Sequence, residues 1–367
     1  MLLEQVIAAH RRGDIDTAQR GYEAVLQQQP NEPDALGNLG NIFRDKGEHT
    51  RAIEYLEKAV GIAPRSAHLR YNLGNAFRSA GRLKEALEAY VQASVLDSGY
   101  TLAYYNQGVT LVELKRFPEA EAAYRRALQI DEQHYPSLLN LGALLEQQGQ
   151  ISAAIASYDQ AIAAQPKESI GYNNRGLAKL YIGEVYPALA DLHRAFDLSP
   201  GQHRLASNYL MAMQYNEAVT SPELRLLATS FGKRFEECKS LVRPKDKTGP
   251  IRIGFVSADL HAHPVGFFLM PLFEAIDKTC CQLYCYANQT QQDDVSASLT
   301  RHAQWRWIAD MDDTALINLI RDDEIDILID LSGHTAGNRL PVFARRAAPD
   351  WVGESTLPAG LQAVVLH

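Results

Sequence analysis

Two patterns of apolar and polar positions divide the chain. Up to about residue 200, beginning with the amphipathic start MLLEQVIAAHRRGD, the sequence has the character of repeated helices. From Ile251 it changes to short apolar runs separated by helix-length segments, the arrangement of a parallel α/β sheet. The predicted strands are 251–257 (IRIGFVS), 281–287 (CQLYCYA), 305–309 (WRWIA) and 325–331 (IDILIDL), with GFFLMPLFEAI and DTALINLIRDD as the clearest helices between them. The stretch from 201 to 250 fits neither pattern. Its helices are predicted over Arg204–Ala218 and Pro222–Ser240, the second capped by Ser221, and the breaker-rich LVRPKDKTGP places a domain boundary near residue 245.

The repeat has a period of 34 residues. Glycines stand at Gly40, Gly74, Gly108, Gly142 and Gly176, and alanines follow in register at Ala52, Ala86, Ala120, Ala154 and Ala188, and again at Ala59, Ala93, Ala127, Ala161 and Ala195. Small residues at fixed points let two antiparallel helices cross closely. Tyr90, Tyr124 and Tyr158 are expected to fill the space beside the alanines. Gly47, Gly81, Gly149 and Gly183 mark the turns inside the hairpins, and Pro64, Pro166 and Pro200 end the second helices. A degenerate first unit keeps Gly13, Ala18, Tyr22 and Pro30 in phase. On these ladders the segment resembles the tetratricopeptide repeat family, which implies a curved solenoid whose concave face holds an extended polypeptide.

A further ladder, Asn38, Asn72, Asn106, Asn140 and Asn174, precedes each glycine by two residues. Either it is a solvated helix position inherited from one ancestral repeat, or its carboxamides, which donate and accept, pair with a peptide backbone whatever the side chains. No regular set of Lys and Arg is evident at groove positions, which argues against specialisation for a terminal carboxylate.

Composition narrows the partners. With 46% hydrophobic residues the chain has ample material for more than one core, and its net charge of -8 offers no basic field for nucleic acid or anionic lipid. No segment approaches the ~18 apolar residues of a membrane span. Cys238, Cys280, Cys281 and Cys285 have neither disulfide nor zinc spacing, and are expected to be buried thiols of a reducing compartment; the expected location is cytoplasmic.

In an open parallel sheet, ligands sit off the carboxyl ends of strands, so the loops to examine are ADLHAHPVG after the first strand and SGHTAGNR after the fourth. There is no GxGxxG after the first strand and no P-loop. His261 and His263 have the spacing of the metal pair of amidohydrolase barrels, but that fold needs ~250 residues and further ligands, and 117 residues run from Ile251 to His367. By itself each histidine is most simply a loop residue that caps a helix or packs on Pro264.

The combination is more specific. Helical repeats followed by IRIGFVSADLHAHPVGFFLMPLFEAID and EIDILIDLSGHTAGNRLPVFARRAAP resemble the protein O-GlcNAc transferase family, including its SPINDLY-type members. The motifs that carry the resemblance are the D-x-x-x-HP-x-G loop, Asp259 to Gly266, and the D-x-x-G-H/Y-T loop, Asp330 to Thr335. The resemblance implies an inverting, metal-independent glycosyltransferase moving N-acetylglucosamine, or fucose in some relatives, from a nucleotide sugar such as UDP-GlcNAc to Ser or Thr of a protein held by the repeats. It needs no cofactor. It implies an active site lined by Asp259, His263 and His334, substrate contacts from Pro264, Gly266, Gly333 and Thr335, and a peptide role for the asparagine ladder. His261 has no assigned task, and Asp326 stands where some relatives have a histidine.

The expected organisation is an α-solenoid of six tetratricopeptide repeats over 1–202, a helical connector over 203–248, an incomplete Rossmann-like lobe of GT-B type over 249–349, and an atypical tail over 350–367. The family's second, donor-binding half has no counterpart in the sequence, so the expectation is a truncated chain, inactive alone, its exposed sheet edge a candidate for self-association. The alternative is a non-catalytic peptide-binding scaffold.

Overall fold

The computed structural model describes residues 2–220, 222–224, 226 and 249–352. Most of the predicted helix 222–240, its Ser221 cap, the boundary near 245, Cys238 and most of the tail lie outside the described residues. The chain forms two compact units, Met1–Ala178 and Lys179–His367.

In the first unit the 34-residue grammar becomes helix hairpins: α1 (Leu2–Arg11) and α2 (Ile15–Gln28), α3 (Pro33–Asp45) and α4 (His49–Ile62), α5 (Ala67–Ser79) and α6 (Leu83–Leu96), α7 (Thr101–Glu113) and α8 (Phe117–Ile130), α9 (Tyr135–Gln147) and α10 (Ile151–Ala164), then α11 (Ser169–Tyr181), in which the unit ends. Each helix packs on its sequence neighbours, and α3 also meets α5 as α7 meets α9, so the first helices of successive repeats form one layer.

The glycine ladder has a specific cause. A Cβ on Gly74, Gly108 or Gly142 would lie 2.6, 2.4 and 2.4 Å from the ring of Tyr90, Tyr124 or Tyr158, sixteen residues on, and one on Gly40 would meet Leu56 at 2.7 Å. These side chains are essentially fully buried, as is Tyr22 in the degenerate unit. The bulky residue of the second helix thus occupies the space that the glycine of the first leaves. Inside the hairpins Gly13, Gly47, Gly81 and Gly149 have φ of 73 to 81°, a left-handed conformation that costs an L-residue energy. The fourth hairpin of this series, at the phase of Gly81 plus 34, has Lys115 instead, held at φ 60°.

The second unit contains α12 (Val185–Leu198), α13 (His203–Met213) and a sheet. α13 stops short of the predicted Ala218 because Gln214, Tyr215 and Asn216 turn their N–H groups back to the carbonyls three residues earlier, and Asn216 Oδ1 then accepts from Ala218 N. Its sheet strands are β1 (Ile251–Ser257), β2 (Cys281–Ala287), β3 (Gln304–Trp307), β4 (Ile327–Asp330) and β5 (Asp350–Val352). They are all parallel, in the order β3-β2-β1-β4-β5. The sequence reading stopped the lobe at Pro349 with four strands; β5 adds a fifth from residues assigned to the tail and covers the edge of β4.

The helices α14 (Pro264–Ala275), α15 (Asp294–Thr300), α16 (Asp313–Asp322) and α17 (Leu340–Ala344) cover the sheet. Phe255, Leu283, Cys285 and Ala287 pack with Leu269 and Phe273 of α14 and Val295 and Leu299 of α15. Val256, Tyr284, Tyr286 and Leu328 pack with Leu316, Ile317 and Ile320 of α16 and Val342 and Phe343 of α17. Neighbouring residues of a strand face opposite sides, which is why the runs are apolar throughout. Only one of the three described cysteines is the buried thiol expected: burial pushes the Cys285 thiol well up, whereas Cys280 is exposed and Cys281 half-buried. Cys280 and Cys281 sit at the start of β2, where its burial begins.

Gly108→Ala is expected to destabilise the repeats by roughly 1–3 kcal/mol through overpacking against Tyr124. Gly61→Ala, in a helix with nothing near its missing Cβ, is expected to be neutral or stabilising by up to about 1 kcal/mol. Urea unfolding followed by circular dichroism distinguishes them.

Candidate functional site

In the sheet the chain runs from β1 outward to β2 on one side and later returns to place β4 on the other, so the loops after β1 and β4 diverge at a topological switch point. Both predicted motifs stand there. Ser257 and Ser332, both buried, approach hydroxyl to hydroxyl at 3.3 Å; Ala258 N donates to Ser332 Oγ and Asp259 N to Ser257 Oγ. Asp330 Oδ1 accepts from Ser332 N and Gly333 N at 3.0 and 3.2 Å, turning the chain sharply after β4. Thr335 Oγ1 donates to Ser332 O at 2.7 Å and Asn338 Nδ2 to Thr335 O. Gly333 and Gly337 have φ of 52 and 75°, and a Cβ on Gly337 would meet Ala258 Cβ at 2.8 Å. Thr335 therefore shapes its own loop with its hydroxyl, an internal use that the resemblance did not imply.

The first loop is as tightly specified. A Cβ on Gly266 would lie 2.1 Å from His261 O, and Pro264 opens α14 at its first turn. Asp293 Oδ2 accepts from Ala262 N at 2.6 Å while its other oxygen caps α15, tying the HP loop to that helix; these amide donors hold the carboxyl below its usual range.

Three polar residues line up in this loop: His261 Nε2 is 3.9 Å from Asp259 Oδ1, and the His261 and His263 rings are 5.8 Å apart. His263 is the N-cap of α14, its Nδ1 accepting from Val265 N at 3.3 Å. With Nδ1 engaged by the helix, Nε2 is the nitrogen of His263 left to face the site. His334 is neutral: burial pushes its pKa down to about 4, and its Nδ1 has no partner.

Two assignments change with the structure. Asp326 stands at the opposite, amino end of β4, where its carboxylate accepts from Arg252 N at 2.9 Å at the start of the sheet. It is remote from the switch point along the strand. Arg339, which the sequence reading passed over, joins the loops at the carboxyl end: it pairs with Asp313 at 2.9 Å and donates to Asn288 Oδ1, Ile308 O and Met311 O. The available signal was an arginine set in the apolar run NRLPVF, where a lone charge needs partners.

The asparagine ladder, in the first unit, divides. Asn72 and Asn106 are 5% and 7% exposed, not the solvated positions of the simpler expectation. Asn106 Nδ2 donates to Tyr71 OH at 2.9 Å and Asn140 Nδ2 to Tyr105 OH at 3.3 Å, each reaching into the preceding repeat. Asn72 has Gly37 at the corresponding place and turns to His68 within its own helix, while Asn174 has Leu139 and accepts from Asn173. At Asn106 and Asn140, then, the carbonyl oxygen is the half left for a peptide N–H. Beside Asn106 is a cavity of about 370 Å³ lined by Arg44, Tyr71, Asn75, Arg78, Leu102 and Tyr105, among others. Arg44 and Arg78 are 34 residues apart, so two repeats do carry arginine at one groove position. The sequence signal was their common place four residues after the ladder glycine.

Among the described residues no group of His, Cys, Asp and Glu could hold a metal ion, and no helix is long and apolar enough to cross a membrane.

Comparison with known proteins gives two family matches, to the Cilia and flagella-associated protein 70 C-terminal domain over residues 5–192 and to Glycosyl transferase family 41 over residues 233–359. The second match runs ten residues beyond Pro349, where the resemblance was expected to stop. The chain is 31% identical over 168 residues to a probable UDP-N-acetylglucosamine–peptide N-acetylglucosaminyltransferase SPINDLY of Hordeum vulgare, a stretch that is 42% of this chain and 18% of the relative. The corresponding Arabidopsis thaliana protein is 29% identical over the same length. Among solved structures, a mutant O-GlcNAc transferase of Thermobaculum terrenum superposes with a TM-score of 0.61 at 32% identity, covering 70% of this chain and 50% of that one. This chain thus spans half of the bacterial transferase it matches, and the aligned stretch spans less than a fifth of the barley relative.

Because His334 is neutral when folded and titrates near the ordinary histidine range when unfolded, the unfolded chain binds the extra proton between about pH 6.5 and 4. The lobe's stability is therefore expected to fall by about 2–3 kcal/mol as pH drops through that window. His203 shifts in the same direction, so the difference between wild type and His334→Gln isolates the effect. Trp305, Trp307 and Trp351, the three tryptophans of the chain, all lie in the second unit and report its unfolding by fluorescence.

Proposed function

The chain belongs to the O-GlcNAc transferase/SPINDLY family, its repeats to the helical-repeat family matched over 5–192, and we propose that it serves protein O-glycosylation. Its repeats hold an extended polypeptide while the switch-point loops line the site where a sugar passes from a nucleotide donor to a Ser or Thr hydroxyl. The observation that carries this reading is the meeting of the Asp259–Gly266 and Asp330–Thr335 loops at the carboxyl end of adjacent parallel strands β1 and β4. The repeat match supports an architecture and brings no ciliary role with it.

In this reaction the acceptor oxygen bonds to the anomeric carbon, the bond from that carbon to the diphosphate oxygen breaks, and the hydroxyl proton leaves. His263 is suited to donating a hydrogen bond from Nε2 to an oxygen at the reacting centre, because its Nδ1 is engaged at the start of α14. The neighbouring Asp259 and His261, 3.9 Å apart, are the other polar groups at this end of the loop and are placed to receive the hydroxyl proton. His334, neutral and half-buried, fits a packing role against the sugar or acceptor. The donor is a substrate, UDP-GlcNAc or another nucleotide sugar, and no metal takes part.

A second reading, a peptide-holding scaffold without transfer, draws on the cavity beside Asn106 in the repeats. Isothermal titration of the full chain with UDP-GlcNAc and GDP-fucose separates the two: binding supports the transferase, and absence of binding with peptides still held leaves the scaffold alone. Where transfer is measured by intact mass of a Ser/Thr peptide, His263→Ala is expected to slow it by about 100-fold or more.

A further inference from the structure

We propose that the cavity spanning the second, third and fourth repeats is a specificity pocket for the side-chain carboxylate of an Asp or Glu in the polypeptide that the groove holds. This rests on the groove reading above and adds to it a requirement on sequence. Backbone recognition by carboxamides is indifferent to side chains; the pocket is not.

The argument is an account of donors and acceptors. Arg44 and Arg78 bring two guanidinium groups to one cavity. Tyr71 OH and Tyr105 OH each accept from an asparagine of the next repeat, which leaves their own protons to be donated. Asn75 Oδ1 is taken by the Tyr90 hydroxyl at 2.7 Å, which leaves its amide N–H groups. On the other side stand the carbonyl oxygen of Asn106 and the hydroxyl of Ser79. The lining therefore offers many more donors than acceptors, and the group that matches it is an anion with several lone pairs.

Both arginines already have carboxylate neighbours, but on terms that a ligand can improve. Arg44 meets Asp45, whose side chain is 63% exposed, through Nε and Nη2, and Asn41 through Nη1. Arg78 gives Nε to Glu113 Oε1 at 3.0 Å across a pair in which both partners are more than a third exposed. Exposed pairs of this kind contribute little. The terminal nitrogens of Arg78 can take a second carboxylate in the two-pronged geometry that lysine cannot provide.

The place of the pocket says which carboxylate. Asn38 precedes it in the ladder and Asn140 and Asn174 follow it, so the groove continues on both sides. A chain laid along it presents a side chain here and not its end.

The test uses the full chain and short extended peptide libraries with acetylated amino and amidated carboxyl ends, identical except for Glu or Gln at one scanned position, read by fluorescence anisotropy. The expected result is a preference for Glu of about tenfold at one register, diminishing as NaCl rises from about 0.05 to about 0.5 M. Arg44→Gln/Arg78→Gln is expected to abolish the preference while the Gln peptides bind as before, and Arg78→Lys to retain part of it. Equal binding of Glu and Gln peptides at every register, or discrimination only by peptides with a free carboxyl end, overturns the pocket and leaves the groove. Failure of every peptide to bind the wild-type chain overturns the groove itself and the pocket with it.

Discussion

The regular repeats depend on one steric fact: the glycine of the first helix, at Gly40, Gly74, Gly108 and Gly142, has no Cβ where the second helix puts a tyrosine or leucine; only the degenerate first unit has a larger residue, Val6, at that phase. At Gly74, Gly108 and Gly142 the ring edge lies where a methyl group would be, so the two helices close to a distance that no other residue allows. The buried alanines of the second helices share that closeness. Because the contact recurs with the sequence period, it fixes the hairpin within each repeat and the first-helix layer across repeats, and that layer is the surface on which Asn106, Tyr71 and Arg78 stand together.

The repeats were legible for this reason. A residue that must be glycine leaves a mark that survives divergence, and the positive-φ turns leave another; where the mark was lost, at Lys115, the backbone conformation stayed and the side chain bears its cost. The sheet was legible in its strands and less so in its extent. Its strands are apolar on both faces, which makes them visible as runs, but β5 spans three residues, Asp350–Val352, too short to carry any periodicity. Its position follows from its partner β4, a fact of pairing that the local sequence does not contain.

The site was legible at the level of loops. The rule that ligands gather at carboxyl ends of parallel strands selected both motifs, and the structure joins them through Ser257 and Ser332. Protonation and partner choice were another matter. That His334 is neutral and that Asp326 belongs to the far end of its strand depend on surroundings distant in sequence, such as Arg252, whereas the cap of His263 on Val265 N is local and was among the readings the sequence offered. The arginines of the groove were present in the sequence and missed because only two repeats carry them, and a search for regularity passes over a feature whose meaning lies in being local.

The bonds from Asn106 to Tyr71 and from Asn140 to Tyr105 have a mechanical consequence. They link successive repeats at the middle of the ladder, whereas Gly37 and Leu139 deny the same link to Asn72 and Asn174. Toward the end of the array Tyr135 OH accepts from Gly171 N at 3.2 Å instead, so the tyrosines of the first helices act as ties between repeats whose partner changes from a side chain to the backbone along the array.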